Sequence, residues 1–325
     1  MLKQEIEDGQ TSLADPFFRA DVLDGLARRP RAIPARWFYD RRGSELFEAI
    51  TALPEYYPTR TETALLMQVG PQLGALAAPN AAVVEFGSGS STKTPILLRA
   101  INPAAYVPID ISGDFLRESA RGLAEAFPGL PVHPVEADFL RPMPLPEMVA
   151  DLPKLGFFPG STIGNMTAYH AVDLLRAMRQ WLGEGARLLI GMDRVKSTDI
   201  LIPAYDDAQG VTAAFNLNLL ERINRELAGT IPIDAFRHRA IWNANATRVE
   251  MHLEAQRDVA FSVDGRDFSM AAGETIHTEN SHKYGPNGGR MLLRAGGWTP
   301  ISEWTDPQGW FGLMLCEAQP IRMAP

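Results

Sequence analysis

A single cysteine, Cys316, stands in a chain of 325 residues. That scarcity excludes an internal disulfide framework and any zinc centre built on cysteines, and it fits a reducing, cytoplasmic setting. No apolar run approaches the length of a membrane span, and the amino terminus MLKQEIEDGQ is polar and acidic, unlike a secretory signal. A basic excess is missing too. The 31 Lys and Arg against 39 Asp and Glu leave a formal charge of -8 with the signs well mixed, so neither nucleic acid nor a membrane is the expected partner. No fixed-period repeat, low-complexity tract or long charge block occurs. What remains is a chain with 46% hydrophobic residues, ample for one large or two ordinary domains, and a small polar molecule is its expected partner.

From residue 81 strands and helices alternate: strand 83–86, helix near 94–101, strand 105–110, helix 113–127 and strand 131–136. KLGFFPGS, a helix from about 170 to 182 and the strand RLLIGMD at 187–193 continue the series. Strands separated by helices require crossovers and a parallel sheet, so the fold class is α/β. Ser112 is the expected N-cap of a helix whose Leu116, Ala120, Leu123 and Phe127 share one face. Upstream, the segment 35–58 is dense in aromatics, with a short helix around 44–51. Thr59-x-x-Glu62 resembles a capping box ahead of a helix that Pro71 is expected to kink or divide.

Downstream, 199–227 reads as helical and is followed by the alternating segments NATRVEMHLEAQ and VAFSVDGRDFSMAAGE, the latter with Asp264-Gly265 as a hairpin signal. This implies a second, α+β unit at roughly 196–284, lying over the strand ends as a lid, with the chain returning to the sheet through 308–318. The expected domains are therefore 60–195 with 285–325, and 1–59 with 196–284.

The strand-to-helix turn VVEFGSGSSTKTPILL at 83–98 is one residue away from two phosphate-binding patterns. Both G-x-x-x-x-G-K-[ST] and G-x-G-x-x-G place a glycine where Thr92 stands. An adenosine ligand without a pyrophosphate asks for something else: a tight loop, an acid at the next strand end for the ribose, and a polar clamp for the base. Glu85 ends the first strand, and Asp110, 23 residues after Gly87, ends AYVPID. Asp138-Phe139 follows the third strand with a carboxylate and a stacking ring. Three acids at three successive strand ends beside one glycine loop agree with one another. At the fourth strand end FFPGSTIGNMT places Gly160 and Gly164, where backbone can approach a ligand, and Asn165, which both donates and accepts; Thr167 as N-cap and Asn165 as a turn residue account for the same stretch. A phosphoryl-transfer reading, with Lys93 as phosphate clamp and Asp193 as magnesium ligand, stays open at this point.

The set VVEFGSGSSTKT, YVPIDIS, EADF, FFPGSTIGN, AYDDAQGVTAAFNLNLLERINREL, TRVEMHL and IHTENSHKY resembles the histidine-specific N-alpha-methyltransferases, which make hercynine, the precursor of ergothioneine. The likeness runs in order from about residue 35 to the carboxyl terminus. PGSTIGN, AYDDAQGVTAAFN and the late E-x-S carry most of its specificity. It implies a Rossmann-like class I methyltransferase sheet with a second α+β substrate-binding domain. It also implies S-adenosylmethionine as methyl donor, bound by Gly87, Lys93, Asp110, Asp138 and Phe139. Histidine is then held at its carboxylate by Asn165 and Tyr205 and at its imidazole by Tyr56, Glu279 and Ser281. Tyr39 and the Gly160 carbonyl fall near the amine, and Met251 lines the pocket. His282, directly after Ser281, departs from the family pattern.

The chemistry agrees. Methyl transfer needs alignment and desolvation of two reactants, with neither metal nor covalent nucleophile. A carboxylate such as Glu279 accepts an imidazole N–H while Ser281 donates to the other ring nitrogen. Tyr39, Tyr56 and Phe215 have rings that could face a cation, although core packing accounts for Phe215. Among the six histidines, His277 and His282 flank Glu279, but strict strand alternation sends them to opposite faces, so no metal site is expected. A monomer trimethylating the α-amine of L-histidine is the resulting expectation. An N-alpha-methyltransferase for another aromatic amino acid such as tryptophan is the nearest alternative, ahead of phosphoryl transfer or a non-catalytic sensor of an adenosine ligand.

Overall fold

A computed structural model describes residues 15–89, 93–111, 113–139, 141 and 143–320. Thr92 and Ser112, which entered the readings of the loop and of the following helix, lie outside the described residues.

The strand Ala82–Phe86 is buried at every position, as a central parallel strand covered on both faces must be. It pairs in parallel with Ala105–Asp110 on one side and Lys154–Phe158 on the other. The full order across seven strands is Trp298–Thr305, Phe311–Ala318, Arg187–Asp193, Lys154–Phe158, Ala82–Phe86, Ala105–Asp110 and Val135–Glu136. Phe311–Ala318 runs antiparallel to Arg187–Asp193, and Trp298–Thr305 antiparallel to it in turn. The strand order reverses between Ala82–Phe86 and Lys154–Phe158. That reversal leaves a crevice at the carboxyl ends of these two strands, where open α/β sheets take their ligands.

Adjacent residues of the central strands feed opposite cores. Val83, Phe157 and Leu189 pack with Leu65, Leu66, Val69 and Leu73 of the helix Tyr57–Leu76. Val84, Phe158 and Ile190 pack with Leu174, Leu175, Met178 and Trp181 of the helix Ala168–Leu182. A third cluster is drawn from 18–57 and 201–276. There the helix Val211–Glu226 lays Phe215, Leu219, Leu220 and Ile223 into the same cluster as Val249, Met251 and Leu253, from a sheet ordered Arg31–Ala32, Thr275–His282, Arg248–Ala255, Phe236–Asn243. The hairpin Val259–Val263 to Arg266–Met270 turns at Asp264 and Gly265, with φ of +50° and +71°.

Several local readings are corrected. The helix Tyr57–Leu76 is not divided at Pro71, because its buried residues grip the sheet on both sides of the proline. The carbonyl left without an N–H belongs to Met67, four residues back, which is 62% exposed. That helix starts at Tyr57, so Thr59 and Glu62 form no capping box. Of 131–136 only Val135–Glu136 is strand, since Pro131 and Pro134 carry no N–H for the ladder. The 199–227 segment is two helices, Thr198–Leu201 and Val211–Glu226. The Asp207 carboxylate closes the second by accepting from the N–H groups of Val211 (3.0 Å) and Thr212 (2.7 Å).

Candidate active site

At the crevice between Ala82–Phe86 and Lys154–Phe158 lies a solvent-open cleft. Glu85, Gly87, Gly89, Lys93, Gly160, Tyr56 and Phe47 are among the residues lining it. Gly87 has φ of +71°, and a Cβ there would stand 3.7 Å from the Phe139 ring, so the loop and that ring form one surface. Asp110 accepts a hydrogen bond from the Gly89 N–H at 3.1 Å. Asp138 and Phe139 follow the strand Val135–Glu136, and the Phe139 ring meets Phe86 and Phe158 edge-on. The residues expected to hold an adenosine ligand therefore converge on one wall. A glycine turn at positive φ, acids at strand ends and a ring at the edge suit S-adenosylmethionine.

Glu85 points elsewhere than a ligand with one oxygen. Its Oε2 accepts from Thr94 (2.7 Å) and Tyr106 (2.6 Å), and burial pushes its carboxyl up to about 7 despite those bonds. Glu62 is the residue that sequence reasoning misplaced. Fully buried, it pairs with the Lys93 ammonium and accepts the Gly160 N–H at 2.8 Å. One carboxylate thus ties the long helix, the glycine loop and the fourth strand end together. A charged residue at a helical position facing the apolar side was the available signal.

The other wall is made by the strand Thr275–His282, which pairs antiparallel with Arg248–Ala255. His277 opposes His252 and Glu279 opposes Met251, so Thr278 is an extra residue and the strand bulges. Such a bulge resets alternation. Beyond it Glu279 and Ser281 share the face of Met251 and Val249, while His277, Asn280 and His282 share the face of His252, Glu250 and Arg248. His277 and His282 therefore lie on one face, contrary to the expectation from an unbroken strand, and His282 points away from the Ser281 side. The Glu250, His252 and His277 side chains come together there. Their donors are engaged: Glu250 bonds Arg248, Asn243 and His252, His252 also meets Thr275, and the His277 ring bonds the Glu279 carbonyl.

Tyr205 reaches this wall with its Oη 2.7 Å from Ser281 Oγ, and its ring stands edge-on to Tyr56, 6.3 Å between centroids. Tyr39 packs on Phe47 and on the buried Phe215, which lies in the aromatic core. Burial, reinforced by the charge of Glu279, holds the Tyr39 and Tyr56 phenols well above their ordinary value, so both stay protonated. Tyr39 also feels Asp110, which puts it between the two walls. Asn165 ends the turn Thr162–Asn165, which packs against the bulged strand: a Cβ on Gly164 would lie 2.8 Å from the His282 carbonyl. Thr167 does cap the next helix, accepting from His170 N–H. Asn165 and Glu279 also border a second open cleft of about 1550 Å³. Glu279 itself is pushed up to about 7 by burial, against the opposing charge of Lys283.

Below the pocket floor sits a network that the sequence did not disclose. Asp193 accepts from Tyr57 Oη (2.6 Å), Lys196 Nζ (2.5 Å) and Lys283 Nζ (2.7 Å). Burial alone would raise its carboxyl, but the two ammonium groups outweigh that and hold it below the usual range. With both oxygens engaged, Asp193 is not the magnesium ligand that phosphoryl transfer would need. Lys283 goes on to donate to Tyr205 Oη and Ser281 Oγ, each at 2.8 Å.

The sheet order and the cleft at its reversal define a Rossmann-like class I methyltransferase with a second α+β unit. The family of histidine-specific, SAM-dependent methyltransferases matches residues 18–318. The chain is 41% identical over 307 residues to the histidine N-alpha-methyltransferase of Mycolicibacterium smegmatis, covering 91% of this chain and 94% of that one. It is 40% identical, with the same coverage, to the Mycobacterium tuberculosis enzyme of that name. An L-tryptophan methyltransferase from Psilocybe serbica is similar at 26% over 93% of each chain. The protein belongs to the histidine-specific, S-adenosylmethionine-dependent methyltransferase family.

Proposed function

We infer that this protein trimethylates the α-amine of L-histidine to give hercynine, the first step of ergothioneine biosynthesis, with S-adenosylmethionine as donor. The observation that carries the reading is the pair made by the bulge: a half-buried carboxylate, Glu279, and a buried hydroxyl, Ser281, on one face of one strand. A carboxylate and a hydroxyl that donates match the two nitrogens of a neutral imidazole, one bearing a proton and one bare. Neither a phenyl nor an alkyl side chain would satisfy both.

Gly87, Lys93, Asp110, Asp138 and Phe139 are the residues to hold the donor, with Lys93 oriented by Glu62 toward the cleft. When bound, S-adenosylmethionine supplies a methyl group on a cationic sulfur. Asn165 and Tyr205 hold the carboxylate of histidine, Tyr56, Glu279 and Ser281 its ring, and Met251 packs beside it. Tyr39 and the Gly160 carbonyl stand at the amine, where a carbonyl accepts an N–H of the unmethylated and monomethylated amine and so aims the nitrogen lone pair. The amine must lose a proton before each attack, because an α-amino group has a pKa of about 8. Tyr39 and Tyr56, protonated and half-buried, orient and exclude water rather than take that proton. A quaternary nitrogen has no lone pair, so the reaction stops after the third transfer.

The working unit is taken to be a cytoplasmic monomer acting on a small molecule without a metal. Its donor-binding domain is 60–195 with 285–325, and its acceptor domain is 1–59 with 196–284. No helix among the described residues is long and apolar enough to cross a membrane. The test is incubation of purified protein with S-adenosylmethionine and a panel of amino acids, followed by mass spectrometry. Histidine should gain three methyl groups. Methylation of tryptophan in preference to histidine would replace this substrate with the alternative.

A further inference from the structure

Lys283 is fully buried, and its ammonium has three partners: Asp193 Oδ2 at 2.7 Å, Tyr205 Oη at 2.8 Å and Ser281 Oγ at 2.8 Å. An ammonium carries three N–H donors and no acceptor, so all three are engaged and their direction is fixed. Tyr205 and Ser281 must each accept from it. They also lie 2.7 Å from each other, so one donates to the other. The oxygen that receives this second bond has both lone pairs occupied and can only donate. With Tyr205 as that donor, Ser281 keeps the remaining hydrogen in the empty pocket, and a bound histidine carboxylate draws the Tyr205 hydrogen to itself while Lys283 continues to donate to both oxygens. Glu279 offers the complementary group, a carboxylate that accepts.

We propose that Lys283 is a positioning and specificity residue: by occupying lone pairs on Tyr205 and Ser281 it turns them into a donor, so that the pocket takes neutral imidazole and turns away imidazolium. The inference rests on histidine being the substrate. A protonated ring presents two N–H groups, one of which would meet an O–H, and adds a second cation beside Lys283. Indole presents an N–H and no bare nitrogen, so the donor would be left without a partner, which disfavours tryptophan as well. The charged and titratable groups around Lys283 are Asp193 and Lys196 below it, Tyr57 and Tyr205 at its sides, Glu279 across the pocket and His282 next in the strand.

The test is calorimetric binding to the enzyme loaded with S-adenosylhomocysteine, which prevents turnover, between about pH 5.5 and 8, the interval in which histidine titrates. L-Histidine is compared with 2-fluoro-L-histidine, whose ring stays neutral throughout. Protonation of Glu279 affects both ligands alike, so the difference between their slopes isolates the ring. In the wild type the affinity for histidine should fall with acidification more steeply than that for the fluorinated ring, by about tenfold per pH unit below the ring pKa. In Lys283→Met the two slopes should converge, with histidine affinity at pH 8 down about 10–100-fold and S-adenosylhomocysteine affinity within about threefold. Lys283→Arg, which keeps the cation and donors, should restore part of the difference. If Lys283→Met gives no cooperative melt, Lys283→Gln takes its place, and removal of the charge should still narrow the difference. Parallel slopes in the wild type would overturn the proposal. So would an undiminished slope difference in a folded variant, or equal losses of histidine and S-adenosylhomocysteine affinity, which mark a purely structural lysine. Failure of the wild type to bind histidine at any pH instead removes the substrate reading itself.

Discussion

Asp193, at the end of a parallel strand, and Glu279, on the bulged strand of the other sheet, are carboxylates, one buried and one half-buried, that both feel Lys283, yet they are built for opposite purposes. Around Asp193 two lysines and a tyrosine donate, and its carboxyl is held low. Around Glu279 no donor among the described residues reaches the carboxylate, and burial lifts it to about 7. A buried charge whose bonds are complete is scaffold. One whose bonds are incomplete is poised for a ligand that completes them.

Breaking the complete one should cost most. Asp193→Asn leaves two buried ammonium groups opposed by an uncharged amide, and a loss of roughly 3–5 kcal/mol is expected in thermal or urea unfolding, with donor and acceptor binding impaired together. If the variant is as stable as the parent, the network is not holding the two units. Glu279→Leu should behave in the reverse way. The kcat/KM for histidine should drop about 100-fold, while calorimetry finds S-adenosylmethionine affinity within about threefold and the melting midpoint unchanged or higher. Equal loss of both ligands would end its assignment to the acceptor.

On the donor wall, Gly87→Ala places a side chain at φ of +71°. S-adenosylmethionine affinity should weaken about 5–30-fold, the equivalent of roughly 1–2 kcal/mol for a left-handed non-glycine residue, with the binding of histidine analogues little altered. The smallest effect is a pH trend of two signs. Because the Glu279 carboxyl rises from 4.5 to about 7 on folding, the folded protein holds a proton there that the unfolded chain has lost. Its contribution to stability is therefore present at low pH and declines as pH rises through 4.5 to about 7. Histidine affinity, which needs the carboxylate ionised, should increase over the upper part of the same window. Glu279→Gln should flatten its share of both curves, and a parent-like pH profile in that variant would assign the titration elsewhere.

The parallel half of the fold was legible because each strand and helix announces itself locally. Ala105–Asp110 and Arg187–Asp193 fall where hydrophobic runs between helices place them. The strands Phe236–Asn243 and Trp298–Thr305, each paired with the strand that follows it in the chain, and the helix Gly288–Ala295 were not expected. The site divides in the same way. Gly87, Asp110 and Phe139 follow from strand ends, and Glu279 and Ser281 from a family likeness, but nothing local marks Glu62 as the partner of Lys93, 31 residues away. Asp193 attracted notice as a metal ligand, and only the arrival of Lys196 and Lys283 explains it. Alternation, applied without the bulge, misplaced His277 relative to His282.

Thr278 makes the sheet behave like a text with a shifted frame. Its hydroxyl bonds Asn216 and the Met251 carbonyl, which fixes the extra residue in place. Upstream of it odd-numbered positions share the face of His252; downstream, odd-numbered positions share the face of Met251 and Val249. Two sequences aligned without a gap could agree at every letter of E-x-S and still present different chemistry to the pocket if only one of them carries the insertion. Substrate choice in this protein is thus written partly in a count of residues, and a one-residue deletion before Glu279 would alter it more than most substitutions within the pocket.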